Sequence, residues 1–172
     1  MNNLQIRIAN QEDAQFIALL GRMTFTETFG HLFRDINDLM EYYDRTFSVS
    51  KIRSGMQKPN NVFFIAFVDD LPVGYAKLKL NCPSEFIDSP DVSQLQKIYV
   101  LKDFLSMKVG VHLQNQLLER AAQTNEEIWL SVLHTNERAK RFYQKNGFNK
   151  IGEHGYSIGK EDFHFFVLSK KL

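Results

Sequence analysis

The chain has 172 residues, enough for one domain with a sizeable core, so we expect residues 1–172 to form a single domain. Its 21 Lys and Arg against 20 Asp and Glu give a net charge of +1. This balance removes the electrostatic reason to expect nucleic acid or an anionic membrane as the main partner. A composition of 44% hydrophobic and 24% charged residues is close to the globular average and argues against a disordered chain.

The first third of the chain predicts one strand and three helices. Residues 4–9 alternate apolar and polar side chains, which is typical of a strand with one buried face. Asn10, followed by Asp13, has the character of a helix N-cap, and further helices are predicted at about 35–47 and 50–57. The apolar residues at helical spacing are Phe16, Leu19, Leu20, Met23 and Phe25 in the first helix and Ile36, Leu39, Met40 and Tyr43 in the second.

The middle of the chain predicts three strands. Residues 62–68 are β-branched and aromatic, and residues 73–80 return after a turn at 69–72, so these segments predict a hairpin. Residues 81–91 contain two prolines and predict a loop, and residues 92–100 predict the next strand.

The last third of the chain predicts two helices and three strands. They are a helix at 109–125, a buried strand at 128–133, a helix at 136–146 that ends at Gly147, and strands at 149–156 and 163–169. This order predicts an α/β fold with a mixed sheet of about seven strands. It does not fit a doubly wound fold, which needs a helix after almost every strand.

Residues 96–113 predict the end of a strand, a short loop and the start of a helix at about Val109. Backbone N–H groups at the start of a helix bind phosphate oxygens, and Lys102 and Lys108 add positive charge nearby. An ordinary connection between a strand and a helix has the same pattern. By itself, the segment therefore leaves both interpretations open.

Residues 129–148 predict a strand followed by a capped amphipathic helix. Asn136 is placed to cap this helix, Ala139 and Phe142 to face the sheet, and Tyr143 to lie beside them with its hydroxyl at a cleft. A tyrosine that only anchors the helix to the sheet is the alternative interpretation.

Together these two segments resemble the GNAT N-acetyltransferase superfamily. The pattern Asn136-x-x-Ala139-x-x-Phe142-Tyr143-x-x-x-Gly147-Phe148 is similar to the second half of the superfamily motif, and Ile98-Tyr99-Val100 with its loop and helix resembles the acetyl-CoA segment. Their spacing and the order of elements extend the resemblance over nearly the whole chain. It implies the acyl-CoA N-acyltransferase fold, in which the mixed sheet is mostly antiparallel.

Within the superfamily, the chain most resembles the bacterial spermidine/spermine acetyltransferases of PaiA type. The similarity lies in the strand segment Ile128-Trp129-Leu130-x-Val132 and in the Phe-rich N-terminal segment Thr24–Gly30. It is less specific than the resemblance to the superfamily. The resemblance implies an enzyme that moves an acetyl group from acetyl-CoA to a primary amine, for which a polyamine is one candidate.

The resemblance also assigns roles to individual residues. It implies that Ile98, Tyr99 and Val100 pair with the pantetheine amides of acetyl-CoA. The residues that would hold the pyrophosphate are Leu105, Ser106, Met107, Lys108, Val109 and Gly110, and Asn136 would form a hydrogen bond to the cofactor. Tyr143 would be the general acid that protonates the leaving thiolate. Its reference pKa near 10 suits this role, because the phenol is protonated at neutral pH. The amine would attack the thioester directly.

The loop departs from the superfamily pattern Gln/Arg-x-x-Gly-x-Gly/Ala. The matching positions hold Leu105, Lys108 and Gly110, so only Gly110 agrees. A Cβ at position 108 restricts how closely the backbone approaches a pyrophosphate, although Lys108 keeps its backbone N–H and adds an ammonium. Gln94 stands where many relatives have Glu. These departures leave open a second function, a catalytically weak CoA-binding or regulatory module of the same fold.

The general base is not evident from the sequence. His134, after the strand at 128–133, is the best remaining ionisable candidate, and a solvated loop histidine is the alternative. A water chain to Glu27 or Glu85 is a third possibility. The histidines show no metal-ligand spacing, so we expect no metal, and Cys82 is interpreted as an ordinary thiol.

The acceptor is expected to be a small-molecule amine. Acidic residues at 35–44 and 85–91 can attract a polycationic amine or be solvated surface charges. No residue distinguishes a polyamine from a protein N-terminus or an aminoglycoside. The basic residues of 138–150 lack a stacking motif, so no nucleic acid partner is expected, and the sequence allows a homodimer.

Cysteine use and the N-terminal residues suggest a cytoplasmic location. The only cysteine, Cys82, has no second cysteine to pair with, which fits a reducing compartment. No apolar run approaches the roughly 20 residues that span a bilayer, and residues 1–7 lack the pattern of a signal peptide. We therefore expect a cytoplasmic protein without a membrane contact.

Overall fold

The computed structural model describes residues 3–172 and contains a seven-stranded sheet. The strands are β1 (Leu4–Ile8), β2 (Asn61–Val68), β3 (Leu71–Lys79), β4 (Val92–Val100), β5 (Glu127–Leu133), β6 (Asn149–Ile158) and β7 (Glu161–Lys171). Their order is β1-β2-β3-β4-β5-β7-β6, and every neighbouring pair is antiparallel except the parallel pair β4 and β5. The predicted mixed, mostly antiparallel sheet is therefore confirmed.

Within residues 3–172, five α-helices lie on the two faces of this sheet. They are α1 (Ala14–Phe29), α2 (Ile36–Thr46), α3 (Val49–Met56), α4 (Val109–Ala122) and α5 (Glu137–Lys145). Side-chain caps start α2 and α3, because Asp35 accepts from the N–H of Asn37 and Ser48 accepts from the N–H of Lys51. Among residues 3–172, no helix is long and apolar enough to cross a bilayer.

The sheet separates two hydrophobic layers. On one face, Leu113 and Leu117 of α4 are fully buried against strand residues such as Ile128. On the other face, aromatic side chains of α1 and α2 pack together, with the rings of Phe25 and Phe29 stacked at 4.6 Å. The abundance of Phe in the N-terminal third therefore fills the layer beneath α1 and α2.

Four of the apolar side chains at helical spacing in the first two helices are exposed. They are Leu19 (56%) and Met23 (44%) in α1 and Ile36 (61%) and Met40 (45%) in α2. In α1 the buried stripe instead includes Gly21, where an added Cβ would lie 2.4 Å from the ring of Phe47. In α1, Gly21 thus makes room for the ring of Phe47, and a count of apolar residues misses this need for space.

A buried polar cluster lies at the start of β4 and β5. The side-chain amide of Asn125 donates to Oδ1 of Asn81 and to Oδ1 of Asp91, both at 2.8 Å. Its oxygen accepts from the hydroxyl of Ser93 and from the N–H of Asn81. Asn125 therefore ties together the loop before β4, β4 itself and the turn that leads into β5.

Candidate active site

The parallel strands β4 and β5 separate after a short contact. They pair only through Val92–Gln94 and Glu127–Trp129. Beyond this contact, β4 continues along β3 and β5 continues along β7. A cleft consequently opens between the two strands, and the edge of β4 that faces it has no strand partner in the described part of the chain.

The exposed edge of β4 presents main-chain groups to this cleft. The N–H of Leu101 donates to the carbonyl of Val73 in β3 at 2.9 Å. Because successive residues of a strand point their N–H and C=O groups to alternate sides, those of Ile98 and Val100 face away from β3. They can therefore pair with an extended molecule that lies in the cleft.

The cleft has a volume of about 480 Å³ and brings most of the predicted site residues together. The predicted residues that line it are Ile98, Tyr99, Val100, Leu105, Lys108, Gly110, Asn136 and Tyr143. Ser106, Met107 and Val109 of the predicted pyrophosphate segment are not among the lining residues. Val109 is fully buried in the core beneath α4.

The lining also contains Lys102 and Glu27, which the sequence analysis named, and Arg138 and Phe165, which it did not assign to the site. Lys102 and Arg138 bring positive charge, while Glu27 and Phe165 approach from α1 and β7. Arg138 precedes Phe142 by four residues on α5, so helical spacing could have found it. Phe165 carries no local signal, because tertiary folding alone brings it beside β4, and the same folding places the named candidate Glu27 there.

The connection between β4 and α4 is a tight turn rather than an open loop. Lys102–Met107 form a 3-10 helix, and Lys108 then adopts the left-handed conformation with φ +58° before α4 begins. Glycine adopts this conformation most readily, and for other residues it costs about 1–2 kcal/mol. The position where the superfamily pattern has Gly is thus one where Lys is strained.

Replacing Lys108 with Gly is expected to raise the free energy of unfolding by about 1 kcal/mol, because it relieves the left-handed strain. We expect the affinity for acetyl-CoA to rise or stay unchanged, because the backbone gains room where the resemblance implies the pyrophosphate. Urea unfolding and calorimetric titration measure the two effects. Lys108→Ala is the matched control, since it removes the ammonium but keeps the Cβ.

The two variants at position 108 separate backbone strain from side-chain charge. A roughly tenfold loss of acetyl-CoA affinity in both variants, about 1.4 kcal/mol, would contradict the expectation for Lys108→Gly. It would mean that the ammonium of Lys108 is itself a phosphate ligand.

Asn136 caps α5 as predicted. Its Oδ1 accepts from the N–H of Ala139 at 3.1 Å, and the residue also lines the cleft. Since the oxygen serves the helix, the Nδ2–H group is the part of this side chain left to donate to a bound molecule.

Tyr143 lies at the base of the cleft with its ring in the core. The ring packs against Phe142 at 5.4 Å and against Phe148 at 5.6 Å. Burial raises the pKa of the Tyr143 hydroxyl above its usual value. The side chain is therefore a neutral phenol at physiological pH, which can donate a proton to a group in the cleft.

The structure separates the candidates for the general base. His134 is exposed beyond the end of β5, with Nδ1 3.0 Å from the carbonyl of His164, and it does not line the cleft. Gln94 is also outside the lining, and its amide oxygen accepts from Sγ of Cys82. Glu27 lines the cleft and accepts from the N–H of Lys102 at 2.9 Å.

The charges around the cleft favour an anionic ligand. Within the described residues, four cations line it, namely Lys97, Lys102, Lys108 and Arg138, and Glu27 is the single carboxylate of the lining. Such a lining attracts a molecule that carries several negative charges. No group of three or more His, Cys, Asp or Glu in residues 3–172 is placed to hold a metal ion.

Comparison with known proteins agrees with this geometry. The model of the acetyltransferase (GNAT) family matches residues 25–148, and the chain therefore belongs to this family. An uncharacterized N-acetyltransferase encoded in the pepI 3′ region of Lactobacillus delbrueckii subsp. lactis is 29% identical over 97% of this chain and 96% of its own length.

Solved structures of acetyltransferases share the fold. A PaiA N-acetyltransferase from Thermoplasma acidophilum, solved in complex with coenzyme A, superimposes with a TM-score of 0.79 at 19% identity, over 99% of both chains. A probable acetyltransferase from Staphylococcus epidermidis gives 0.73 at 23% identity, again over 99% of both chains. The predicted class of enzyme, an N-acetyltransferase with acetyl-CoA as co-substrate, is confirmed by the family match.

Proposed function

We propose that this chain, as one catalytic domain, transfers the acetyl group of acetyl-CoA to a primary amine of a small molecule in the cleft between β4 and β5. The observation that carries the proposal is the presence of a free strand edge and a buried, neutral Tyr143 in the same cleft. The strand edge can align the donor, and the phenol can protonate its sulfur.

The residues of the cleft fit the chemistry of acetyl-CoA. Its pantetheine arm carries amide groups, which match the outward N–H and C=O groups of Ile98 and Val100. Its phosphates match the lining cations Lys102, Lys108 and Arg138 and the start of α4, which directly follows Lys108. The bound donor supplies an activated thioester, and the protein supplies alignment and proton transfer.

We assign the two proton transfers to two side chains. Glu27 accepts a proton from the attacking amine, directly or through one water molecule, since it is the carboxylate of the described lining. Tyr143 donates its proton to the sulfur as the carbon–sulfur bond breaks, and solvent then restores the phenol. A role for His134 as the base stays a prediction, and His134 does not line the cleft.

Two of the acidic surface residues, Asp35 and Asp44, give a polyamine acceptor little support. Asp35 pairs with Lys160 at 2.5 Å, and Asp44 lies 3.4 Å from Arg22. These carboxylates are already neutralised by cations of the same chain. We therefore keep the proposal at a primary amine and do not rest it on a polycation.

Calorimetric titration with acetyl-CoA, followed by thiol release with a panel of primary amines, tests the proposal. We expect binding and turnover with at least one amine, and a co-crystal with the donor along β4. Binding without turnover across the panel would favour the alternative, a CoA-binding or regulatory module. Absence of binding at millimolar acetyl-CoA would contradict both functions.

A further inference from the structure

A second cavity of about 300 Å³ lies on the face of the sheet that α3 covers. Its cationic lining consists of Lys51 and Lys58 near α3 and Lys77, Lys79 and Lys97 on the strands. We call it the lysine cavity. It shares Gln96 and Lys97 with the lining of the active-site cleft, so the two cavities adjoin at β4.

The positive charge of the lysine cavity is not balanced by the protein. No Asp or Glu is among its lining residues, and in the described part of the chain none of its five lysines forms an ion pair with a carboxylate. The ammonium groups of Lys77 and Lys97 instead lie over aromatic rings, 5.3 Å from Phe63 and 4.7 Å from Phe47.

Burial makes this arrangement unfavourable without a counter-ion. Desolvation lowers the pKa of Lys97 to about 8, and desolvation together with neighbouring lysines lowers the pKa of Lys77 to about 8. Buried charges are normally paired, because removing them from water costs several kcal/mol per ion. An anion in the cavity would meet this need.

Two further polar groups in the lysine cavity lack partners. The hydroxyl of Tyr75, a residue only 1% exposed, is buried without a hydrogen bond, and so is Oε1 of Gln96. Buried polar atoms are nearly always paired. The hydroxyl can donate to an anion, whereas the Gln96 oxygen accepts and therefore calls for an N–H or O–H group beside that anion.

We propose that the lysine cavity binds the carboxylate or phosphate group of the acceptor, so that the substrate is an amine that also carries an acid group. This proposal rests on the function proposed above. Gln96 lines both cavities, and its Oε1 has no hydrogen-bond partner. This oxygen can accept a hydrogen bond from the part of the substrate that connects the acid group with the amine. A polyamine is disfavoured here, because five lysines repel it.

Matched amines test this substrate class. We would compare the kcat/KM for 4-aminobutyrate with that for butylamine, and phosphoethanolamine with ethanolamine, with spermidine as the polycation. The acid-bearing member of at least one pair is expected to be preferred by tenfold or more. Equal or better use of butylamine and ethanolamine, which lack an acid group, or of spermidine would overturn the assignment of the cavity to the acceptor.

Lys77→Met is the diagnostic variant, because Lys77 lines the lysine cavity but not the cleft. We expect it to abolish the preference for the acid-bearing amine, mainly by raising the KM for that amine, and to leave turnover of the amine without an acid group and the affinity for acetyl-CoA unchanged. Lys145→Met, which removes an exposed lysine of α5, is the matched control. An unchanged preference in Lys77→Met would overturn the proposal.

A binding measurement without acetyl transfer separates this proposal from the proposed function. Phosphate, citrate and 4-aminobutyrate are titrated into the protein while its thermal melt is followed. Stabilisation that Lys77→Met removes and Lys145→Met retains supports an anion site even if no amine is acetylated. If such stabilisation occurs while acid-bearing amines are not preferred, the anion is a separate ligand and the acceptor assignment is wrong. If no anion stabilises the protein, the anion site itself is wrong.

Discussion

Replacing Tyr143 with Phe is expected to slow the single-turnover release of thiol by about 10²- to 10⁴-fold, a barrier increase of about 3–5 kcal/mol. The physical reason is the loss of the proton that neutralises the departing sulfur. Burial keeps this hydroxyl protonated, and the hydroxyl is the only group that the substitution removes. A water molecule that enters the cleft can partly take over proton donation to the sulfur, and the rate would then fall by only the lower end of this range.

This substitution should leave the fold unchanged, because the ring of residue 143 keeps its contacts with Phe142 and Phe148. We expect little change in the thermal melt and in the affinity for acetyl-CoA. Tyr156→Phe, at an exposed tyrosine of β6, is the matched control. Single-turnover conditions are needed, because product release can mask the chemical step. A wild-type rate in Tyr143→Phe would show that another group protonates the thiolate.

The second large effect is expected for Glu27→Gln, which should lower turnover at neutral pH by about 10²-fold. The glutamine oxygen can still accept from the N–H of Lys102, so the contact between α1 and the turn after β4 survives. What disappears is the proton acceptor in the cleft. The deficit should shrink as the pH rises toward the pKa of the amine, because the free amine then needs no base.

A parallel set of variants identifies the base. Glu41→Gln removes an exposed carboxylate from α2 and should have no effect on turnover. His134→Gln is expected to retain most of the activity, because His134 lies outside the cleft lining. The assignment of Glu27 fails if its variant turns over normally at neutral pH while His134→Gln loses activity.

Features with local causes could be predicted from the sequence. The strand at 92–100 has the predicted bounds. Asn136 caps α5, and Gly147 ends it with φ +91°. In each case the determinant is the residue itself or its immediate neighbours: alternation and β-branching for a strand, a side-chain oxygen for a cap, and the absence of a Cβ for a left-handed turn.

Features that depend on tertiary packing could not be predicted in this way. Glu27 and Phe165 enter the cleft from opposite ends of the chain, and no spacing rule links them. Lys77 and Lys97 stand in strands where an alternating lysine usually faces solvent, yet α2 and α3 cover them. The left-handed backbone of Lys108 is set by the turn around it, since the residue type itself disfavours that conformation.

The polar cluster around Asn125 has a consequence for the kinetic mechanism by which acetyl-CoA binds. The cluster clamps β4 and β5 together at their start, and the strands separate directly above it. The cleft between β4 and β5 is therefore already open in the folded protein. No hydrogen bond between these strands has to break when a ligand enters. Binding of acetyl-CoA should follow simple one-step kinetics, with a rate proportional to donor concentration and without a plateau from a preceding opening step.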